Sequence, residues 1–559
     1  MSIGHFFLVI FKLIFPLIMQ AKKYLLLFVS LFLINLTDAQ AQYDPYWQWA
    51  KADTVNTHSV STAASVLAVK NGKSLWGRMT AVKRFGNGEP QGNYRLEEFD
   101  SNGRGMNIML MQGKVQLFDA QADAAGNWYI LGKYYDTLLF SSGPQYVRNN
   151  PSTNIDADHF MVRFNANSMT IGWYKPVGPF TTVSSRSFTM DNNNIYIACD
   201  SLDNTVVRSM SLATGNATSL FRQHGASNTS SIQVDAQGNV YLAGTCVLDG
   251  MDFNGAVEPA TVPDPYTYIV KYRSNGSHIW HHWMRDRNCF PRKLTLFQNK
   301  FLYYSGTMQD TAAIGGVPMQ HLSAGPDFIA ARLDTNGSVF WARQVDQRSG
   351  YAMMGEAYHA VVTPDTALVL FSQATGYCYW KDSIEVDLTG VTAATLVSIG
   401  ANNKTRWARP VYADYTINQH VVTEGTAVWV TGNIYSNAAS AMFDTLRLKV
   451  PARKYTPYLA KTKMIRPIPV NPPAGVGGTM AEEVTVYPIP VHTTLRIDGL
   501  QGKCFMTLSD ISGRAVRNIS TDAGTTQTMI DVADLPRGIY VLDIRGNGDT
   551  RMVRKIVLQ

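Results

Sequence analysis

The chain has 559 residues, of which 16% are charged and 11% aromatic, and its formal net charge is +7. This length allows two or three domains, and the abundance of glycine and of small polar turn-forming residues favours an all-β protein over a helical one. The basic residues are scattered and are not interleaved with aromatic residues, so no nucleic-acid partner is expected.

The N-terminus has the pattern of a secretory signal peptide, which we predict over residues 1–41. Lys22 and Lys23 precede an apolar run from Tyr24 to Leu36, and Ala39-Gln40-Ala41 supplies the small residues of a cleavage site. The run is shorter than the roughly 20 apolar residues that a membrane span needs. We therefore expect export of the chain and no transmembrane segment in its mature form.

Residues 1–18, which begin this predicted segment, are also apolar. Met19 is a more ordinary start, because the charged and apolar regions of the signal follow it directly. Residues 1–18 are therefore interpreted as a misassigned extension of the chain.

The middle of the chain, residues 42–465, contains internal repeats. The clearest unit runs from Asp235 to Gly244 as DAQGNVYLAG and is followed by an apolar run, by Asn275-Gly276 and by Trp280. The last position of the DAQGNVYLAG segment recurs about every sixty residues. In chain order it is occupied by Gly77, Gly132, Cys199, Gly244, Gly306, Ser372 and Gly432. Seven units of several short strands each predict a seven-bladed β-propeller.

In several repeats a tryptophan follows the apolar run that comes after the DAQGNVYLAG-type segment. In two copies it follows an Asn-Gly pair, which supplies the positive φ angles of a tight hairpin. A large aromatic ring at a fixed place is suited to fill the wedge between neighbouring sheets. The predicted blade-packing residues are Trp49, Trp173, Trp280, Trp341 and Trp407.

The first and last repeats are incomplete in a complementary way. Trp49-Ala50 resembles Trp341-Ala342, yet no repeat precedes it, and the last unit ends at Tyr458-Leu459-Ala460-Lys461 without a tryptophan. We expect residues 46–52 to supply the missing strand of the last blade. A ring that is closed in this way leaves no long free edge.

The Asp-x-x-Gly-Asn-x-Tyr-x-x-Gly core at Asp235 to Gly244 resembles the bacterial SBBP-type β-propeller repeat. The resemblance extends over residues 43–465 and implies the propeller fold. It implies no particular activity, because propellers include enzymes, binding proteins and scaffolds.

Residues 466–483 are rich in proline and glycine and are predicted to be a linker. Residues 484–559 contain short alternating segments, which are typical of a small antiparallel, Ig-like β-sandwich. Four sequence blocks stand in this last region: VYPIP from Val486, LSDISGR from Leu508, LPRGIYVL from Leu535 and RKIV from Arg554.

These four blocks resemble the type A C-terminal sorting domain of Bacteroidetes proteins that are exported by the type IX secretion system. The resemblance implies that the chain crosses the inner membrane by the Sec route. It then implies recognition by the type IX translocon and a secreted or surface-attached product, with attachment to surface lipopolysaccharide as one outcome. The motif residues are Tyr487, Pro488, Pro490, Asp510, Gly513, Arg514, Leu535, Gly538, Tyr540 and Lys555.

The sequence shows none of the common catalytic or cofactor-binding signatures, such as GxSxG, HExxH, a P-loop or GxGxxG. We therefore assign no catalytic residue, no metal site and no cofactor from the sequence. His281 and His282 are adjacent, so on a strand they point to opposite faces and are not expected to share a metal. The five cysteines lack metal-binding spacing. Buried thiols are expected, with a single bridge between Cys199 and Cys246 as the alternative.

An Asp followed by Ser or Thr and an apolar residue occurs seven times. This pattern resembles the O-glycan acceptor motif of exported Bacteroidetes proteins. Asp-Thr pairs are also good turn formers, and both interpretations stay open. The candidate acceptors are Thr54, Thr137, Ser201, Thr311, Thr366, Ser383 and Thr445.

The favoured function is a secreted or cell-surface binding module that acts on an unknown glycan or protein ligand without catalysis. One alternative is an exported polysaccharide-active hydrolase or lyase, in which His, Asp, Glu or Arg side chains would converge at one mouth of the central channel. The other alternative is a structural component of the envelope, whose ring would have no deep polar pocket.

Overall fold

A computed structural model describes residues between 44 and 465 and between 484 and 558, with gaps inside both stretches. The described ranges are residues 44–54, 65–84, 90–147, 158–179, 187–201, 204–225, 227–246, 250–259, 266–284, 289–308, 312–320, 327–344, 346–349, 360–380, 384–443, 446–465, 484–487, 491–500, 503–510, 514–546 and 551–558. The described residues form strands and turns and no helix. The chain divides into two compact units, residues 1–466 and 467–559. The predicted signal peptide and linker lie outside the described residues.

Strand pairing in the described part of the first unit gives sheets of eleven, eight, six, four, four and two strands, which we divide by the sequence repeat into seven groups and call blades 1 to 7. The chain enters through β1 (Asp44–Ala52), which belongs to blade 7. Blade 1 contains β2 (Ser65–Lys70), β3 (Lys73–Arg84), β4 (Pro90–Phe99) and the first part of β5 (Gly105–Ala122). Blade 2 contains the second part of β5, β6 (Trp128–Phe140), β7 (Gln145–Val147), β8 (Asp158–Phe164) and β9 (Ile171–Pro179).

The next three blades follow the same order of pairing. Blade 3 contains β10 (Phe188–Met190), β11 (Asn194–Ser201), β12 (Asn204–Ser211) and β13 (Ala217–His224). Blade 4 contains β14 (Ser227–Val234), β15 (Val240–Cys246), β16 (Gly250–Asp252), β17 (Val257–Pro259), β18 (Tyr266–Tyr272) and β19 (His278–Met284). Blade 5 contains β20 (Phe290–Phe297), β21 (Phe301–Met308), β22 (Ala312–Ile314), β23 (Val317–Met319), β24 (Asp327–Asp334) and β25 (Val339–Gln344).

The last two blades share one extended sheet. Blade 6 contains β26 (Asp346–Ser349), β27 (Ala360–Val362), β28 (Leu368–Trp380), β29 (Ile384–Ile399) and β30 (Thr405–Tyr412). Blade 7 contains β31 (Tyr415–Glu424), β32 (Ala427–Tyr435), β33 (Ser440–Phe443), β34 (Leu446–Lys449), β35 (Thr456–Ile465) and β1. The strands β7, β16, β17, β22, β23, β33 and β34 are insertions between the second and third strands of their blades.

The innermost strands of the blades follow one another around a closed circle. β2 contacts β5, β10 contacts β14, and the series continues through β20, β27 and β31 back to β2. Between β5 and β10 the backbone N–H of Phe188 donates to the carboxylate of Asp119 at 3.4 Å. This circular order confirms the predicted all-β propeller class.

The ring closes through the N-terminal strand. β1 pairs with β35 in antiparallel register, so that Trp49 lies opposite Lys461 and Ala50 opposite Ala460. Two segments about four hundred residues apart in the chain therefore complete blade 7. This pairing confirms the prediction made from the incomplete first and last repeats.

The recurring glycine position lies on the second strand of each blade, and in blades 2, 4, 5 and 7 the innermost strand bulges opposite it. β14 shifts register between Thr229 and Ser231, opposite Gly244. A Cβ on Gly244 would lie 2.4 Å from the Tyr268 hydroxyl oxygen and 2.9 Å from the backbone oxygen of Asn228. The close approach of backbone at the bulge is the reason that this position favours glycine.

The hydrophobic core of this unit lies between neighbouring blades. Every residue of β15 and of β18 is buried, as expected for strands that are covered on both faces. One apolar cluster joins blades 3 and 4 through Val207, Ile232 and Leu242. Cys199 and Cys246 are buried thiols that are not joined to each other, so the alternative disulfide is not formed.

The second unit is an antiparallel sandwich with one core. Its strands are β36 (Thr485–Tyr487), β37 (Thr494–Asp498), β38 (Phe505–Asp510), β39 (Ala515–Ser520), β40 (Gln527–Asp531), β41 (Gly538–Arg545) and β42 (Arg551–Leu558). One sheet has the order β36-β37-β40 and the other β39-β38-β41-β42. Leu495, Leu508 and Leu542 are among the residues buried between them. The described part of the chain has no helix of sufficient length and apolarity to cross a membrane.

Candidate functional site

Each blade has two different ends. At one end, which we call the turn end, tight turns join the first strand to the second and, except in blade 7, the third to the fourth. At the other, the connection end, the chain passes between the second and third strands and from one blade to the next. Any site on the propeller therefore belongs to the turn end, the connection end, the perimeter or the central channel.

Turns at the turn end are built by an aspartate that binds its own loop. The Asp235 carboxylate accepts the backbone N–H groups of Gln237 at 3.0 Å and Asn239 at 2.9 Å. Gly238 takes a positive φ of 79°, which glycine adopts without strain. Asp334 makes the same bonds to the N–H groups of Asn336 and Ser338. The Asp-x-x-Gly pattern of the repeats is therefore turn chemistry.

Four of the five predicted tryptophans reach a turn of the neighbouring blade. The indole Nε1 of Trp280 in blade 4 donates to the backbone oxygen of Thr335 in blade 5 at 3.1 Å. The same oxygen accepts a bond from the ammonium group of Lys271 at 2.9 Å. We call this arrangement of a tryptophan, a basic residue on the third strand and the next turn an inter-blade latch.

The inter-blade latch recurs at two further interfaces. Between blades 5 and 6, Trp341 and Arg332 both donate to the backbone oxygen of Ala401, at 2.9 and 3.2 Å. Between blades 7 and 1, Trp49 and Lys461 both donate to the backbone oxygen of Ser101, at 3.2 and 3.0 Å. Between blades 2 and 3, Trp173 donates to Leu212 at 2.9 Å. The basic members were missed in the sequence, although each follows the apolar run of a third strand.

The latch leaves no room for a side chain at the turn glycine. A Cβ on Gly337 would lie 2.9 Å from the Trp280 ring, and one on Gly215 would lie 2.8 Å from the Trp173 ring. These glycines also have φ angles of 92° and 70°. The turn therefore selects glycine for both its backbone angle and the space under the indole.

Trp407 has the corresponding position on blade 6 but no turn to bind. It is 4% exposed, and its Nε1 has no hydrogen-bond partner among the described residues. The next blade is blade 7, whose third and fourth strands are β35 and β1, and these strands come from opposite ends of the unit. Closure by the N-terminus therefore removes the acceptor that the other tryptophans use.

The inserted strands at the connection end fold against the perimeter. β16 pairs with the outermost strand of blade 3, and Phe253 beside it stacks on His281 of β19 with ring centroids 4.5 Å apart. β33 likewise pairs with the outermost strand of blade 6, and its Phe443 meets Trp47 edge-on at 5.0 Å. The insertions thus fill the space that opens between outermost strands as the blades diverge.

His281 is part of a histidine cluster under the first of these insertions. Nε2 of His278 lies 2.9 Å from Nδ1 of His281, and Nε2 of His281 lies 3.1 Å from the Glu258 carboxylate. A register shift in β19 brings His278 and His281 to one face of the strand. His282 instead donates to the backbone oxygen of Gly337 at 2.7 Å. No three potential metal ligands converge in the described part of the chain.

Three titratable side chains on the innermost strands of different blades form a group, which we call the channel cluster, in which Lys293 acts electrostatically on the other two. Asp119, Lys293 and His420 each follow the bulge of their innermost strand. Burial raises the pKa of the Asp119 carboxyl, and nearby Lys293 opposes this rise. Burial, with a further contribution from Lys293, lowers the pKa of His420 to about 3, so that its ring is neutral. This channel cluster was missed in the sequence because no local motif marks it.

Asp119 also serves the edge of the neighbouring innermost strand. Its carboxylate accepts the N–H groups of Ala120 at 2.9 Å and Phe188 at 3.4 Å. In the same way, the Ser231 hydroxyl accepts the backbone N–H of Leu294 from the next blade at 3.0 Å. Innermost strands have free edges, and side chains from the preceding blade satisfy their backbone groups.

The candidate glycan acceptors lie in different surroundings. Thr54 is exposed and Thr137 and Thr366 are half-buried, whereas Thr311, Ser383, Thr445 and the side chain of Ser201 lie outside the described residues. The preceding aspartates bind within the fold: Asp53 to Arg78, Asp136 to Lys114 and Asp365 to Arg406. Asp200 is buried and accepts bonds from Thr205 and Thr229. These contacts show a structural use of the aspartates.

The sorting-domain residues stabilise turns of the second unit. The Asp510 carboxylate accepts the N–H of Arg514 at 3.1 Å and lies 3.2 Å from its side-chain Nε. The Tyr540 hydroxyl donates to the backbone oxygen of Pro536 at 2.8 Å. Leu535 is half-buried and Gly538 begins β41. Pro488, Pro490, Gly513 and the side chains of Tyr487 and Lys555 lie outside the described residues.

Comparisons with solved structures give distant similarities. The WD40 domain of Toxoplasma gondii coronin is 10% identical, with a TM-score of 0.36, and the match covers 75% of this chain and 86% of that one. A prolyl endopeptidase is 8% identical, with a TM-score of 0.38 and coverage of 80% and 54%. A DUF4221-family member from Bacteroides vulgatus is 11% identical, with a TM-score of 0.29 and coverage of 60% and 93%. Values this low carry no argument about function.

The C-terminal unit has a clear family match. No curated protein matches the chain, but residues 485–559 match the secretion system C-terminal sorting domain. This match covers the four sequence blocks and the strands from β36 to β42. The chain thus carries a type IX sorting domain, and it is a protein that this system exports to the cell surface or the extracellular space.

Proposed function

We propose that this protein binds a macromolecule outside the cell, as a non-catalytic interaction module, through the connection end of its propeller. The difference between the two blade ends carries the proposal. The turn end repeats the same turns and latches, whereas the connection between second and third strands changes from blade to blade. It is short between β11 and β12, and it holds additional strands in blades 2, 4, 5 and 7. Variable connections on a rigid scaffold are where binding residues concentrate.

The proposal gives each part of the chain a role in delivery or binding. Residues 1–41 act as a signal peptide for the Sec route, residues 42–465 form the binding domain, and residues 466–483 link it to the sorting domain at 484–559. The translocon then removes the sorting domain and joins the protein to surface lipopolysaccharide. A chain without residues 485–559 is expected to accumulate in the periplasm, which immunoblotting of cell fractions would show.

The channel cluster is the feature that an exported hydrolase or lyase would use. Asp119 would be its acid and His420 its base. The surroundings favour a structural role, because the Asp119 carboxylate is occupied by backbone N–H groups of two blades. His420 is 4% exposed, which leaves little of its ring open to a substrate. The binding function is therefore the better supported of the two.

The test uses the full-length protein purified from the medium or surface of its host. Capture of one ligand class on glycan and protein arrays is expected. Hydrogen–deuterium exchange of the complex should then show protection at the connection end and none at turns such as 334–338. Failure to retain any ligand would favour the structural envelope component, and protection confined to the turns would contradict the proposed binding face. Hydrolysis of a polysaccharide that is lost in Asp119→Asn would favour the enzyme.

A further inference from the structure

Blade 7 carries a cluster of tyrosines at its connection end. Tyr415 begins β31 and is paired with Tyr435, the last residue of β32. Tyr455 lies directly before β35. Because β31 and β32 are joined at the turn end through residues 425–426, these three residues share the opposite end. β30 also ends at the connection end, and its last residue, Tyr412, is 41% exposed. We call these four residues the tyrosine patch.

The rings of the tyrosine patch meet at an angle. The centroids of Tyr435 and Tyr455 are 5.0 Å apart with the planes tilted by 41°. Those of Tyr415 and Tyr455 are 6.3 Å apart with the planes at 86°. Each of these three rings is half-buried. The rings are therefore held in place by one another, and together they form a corner with two walls.

Exposed polar and charged residues lie beside this corner in the chain. The exposed Asp414 accepts bonds from the backbone N–H of Asn437 at 2.7 Å and from its side-chain amide at 3.3 Å. The bond from the Asn437 N–H lowers the pKa of Asp414, so the carboxylate is ionised at neutral pH. Arg453 and Lys454 beside Tyr455 are also exposed. The patch thus joins apolar ring faces to fixed hydrogen-bonding groups.

We infer that the tyrosine patch is a binding subsite for an uncharged polysaccharide, an inference that rests on the proposed binding function. A sugar ring has a C–H face, which packs on an aromatic ring, and hydroxyls at its edge, which donate to carboxylates and accept from amides. Pockets of this kind combine aromatic walls with a few placed polar groups. The core of a protein interface is instead depleted in Lys and Asp, whereas Asp414 and Lys454 lie exposed beside these rings.

The experiment measures binding of the full-length secreted protein to cellohexaose, laminarihexaose, maltohexaose, mannohexaose and xylohexaose by isothermal titration calorimetry. At least one is expected to bind. Tyr415→Ala combined with Tyr455→Ala should weaken its binding at least tenfold. Asp414→Asn changes an exposed side chain and should weaken it several-fold without loss of fold. Phe340→Ala removes a perimeter aromatic that is 54% exposed and should leave binding unchanged.

The outcomes separate this inference from the proposed function. Equal binding by the wild type and the tyrosine variants, with melting temperatures preserved, would overturn the subsite and leave the binding function in place. A protein partner that is lost in the same variants, or the absence of binding to all five sugars, would also overturn it. Failure to capture any ligand on the arrays would remove the proposed function itself.

Discussion

The turn end and the connection end of the blades solve the same packing problem in different ways. At the turn end a tryptophan and a basic residue donate to one backbone oxygen of the next blade, and this latch recurs at three interfaces. At the connection end the interfaces differ. Blades 3 and 4 share a buried network around Asp200, whereas Arg78 binds Asp53 and Glu97 between blades 7 and 1. Repetition therefore indicates the scaffold, and the proposed binding face lies at the end that varies.

The largest effect is expected from removal of a latch. Trp341→Ala deletes an indole that is 7% exposed and its bond to Ala401. Replacement of a buried tryptophan typically costs about 3–5 kcal/mol of unfolding free energy. Chemical denaturation would measure the loss. Val257→Ala is the control, since its side chain is 69% exposed and should change stability little. Equal effects of the two variants would contradict the latch.

The buried network around Asp200 at the connection end should depend on pH. Burial raises the pKa of Asp200 to about 7, above its ordinary value of 3.8. The folded state therefore binds a proton at Asp200 more tightly than the unfolded state does. The stabilisation of the folded state by this proton is complete below about pH 4 and is lost as the pH rises through about 7.

Asp200→Asn tests this dependence, because asparagine keeps an acceptor for Thr205 and carries no charge. We expect the variant to lose stability relative to the wild type at pH 5 and to lose less, or to gain, at pH 8. Thermal unfolding at both pH values measures the difference. An identical cost at both would show that Asp200 does not titrate in this range.

A glycine at the turn end should be harder to replace than one at the perimeter. Gly337 and Gly316 have similar positive φ angles of 92° and 81°, so alanine strains both backbones alike. A Cβ on Gly337 would also meet the Trp280 ring at 2.9 Å, whereas one on Gly316 would meet nothing within 4 Å. Gly337→Ala should therefore lower the melting temperature further than Gly316→Ala. The reverse order of melting temperatures would contradict the close contact between the Trp280 indole and the turn at Gly337.

The smallest effect concerns the indole N–H itself. Trp341→Phe loses a bond to Ala401, whereas Trp407→Phe removes a buried N–H that has no acceptor among the described residues. An unsatisfied buried donor costs about 1–3 kcal/mol. Trp407→Phe should therefore destabilise less than Trp341→Phe by about 1 kcal/mol. Denaturation midpoints of the two variants give the comparison, and equal midpoints would contradict the role of the missing turn.

The features that could be predicted from the sequence are those that recur along it. The repeat glycine marks the second strand, the Asp-x-x-Gly pattern marks the turns, and the solitary Trp49 predicts closure by β1. The channel residues Asp119, Lys293 and His420 could not be predicted, because they come from three repeats and share no residue type. His278 was missed because a bulge changes which side chains share a face of β19.

Closure of the ring by the N-terminal strand is tested most directly by a cross-link. Ala50 and Ala460 are opposite one another in β1 and β35. Ala50→Cys with Ala460→Cys should form a disulfide on mild oxidation, which peptide mass spectrometry would detect, and the cross-linked protein should melt at a higher temperature. Ala50→Cys with Ala427→Cys is the control, because Ala427 pairs with Lys463 and lies away from Ala50. A bond in the control alone, or in neither pair, would contradict the closed ring.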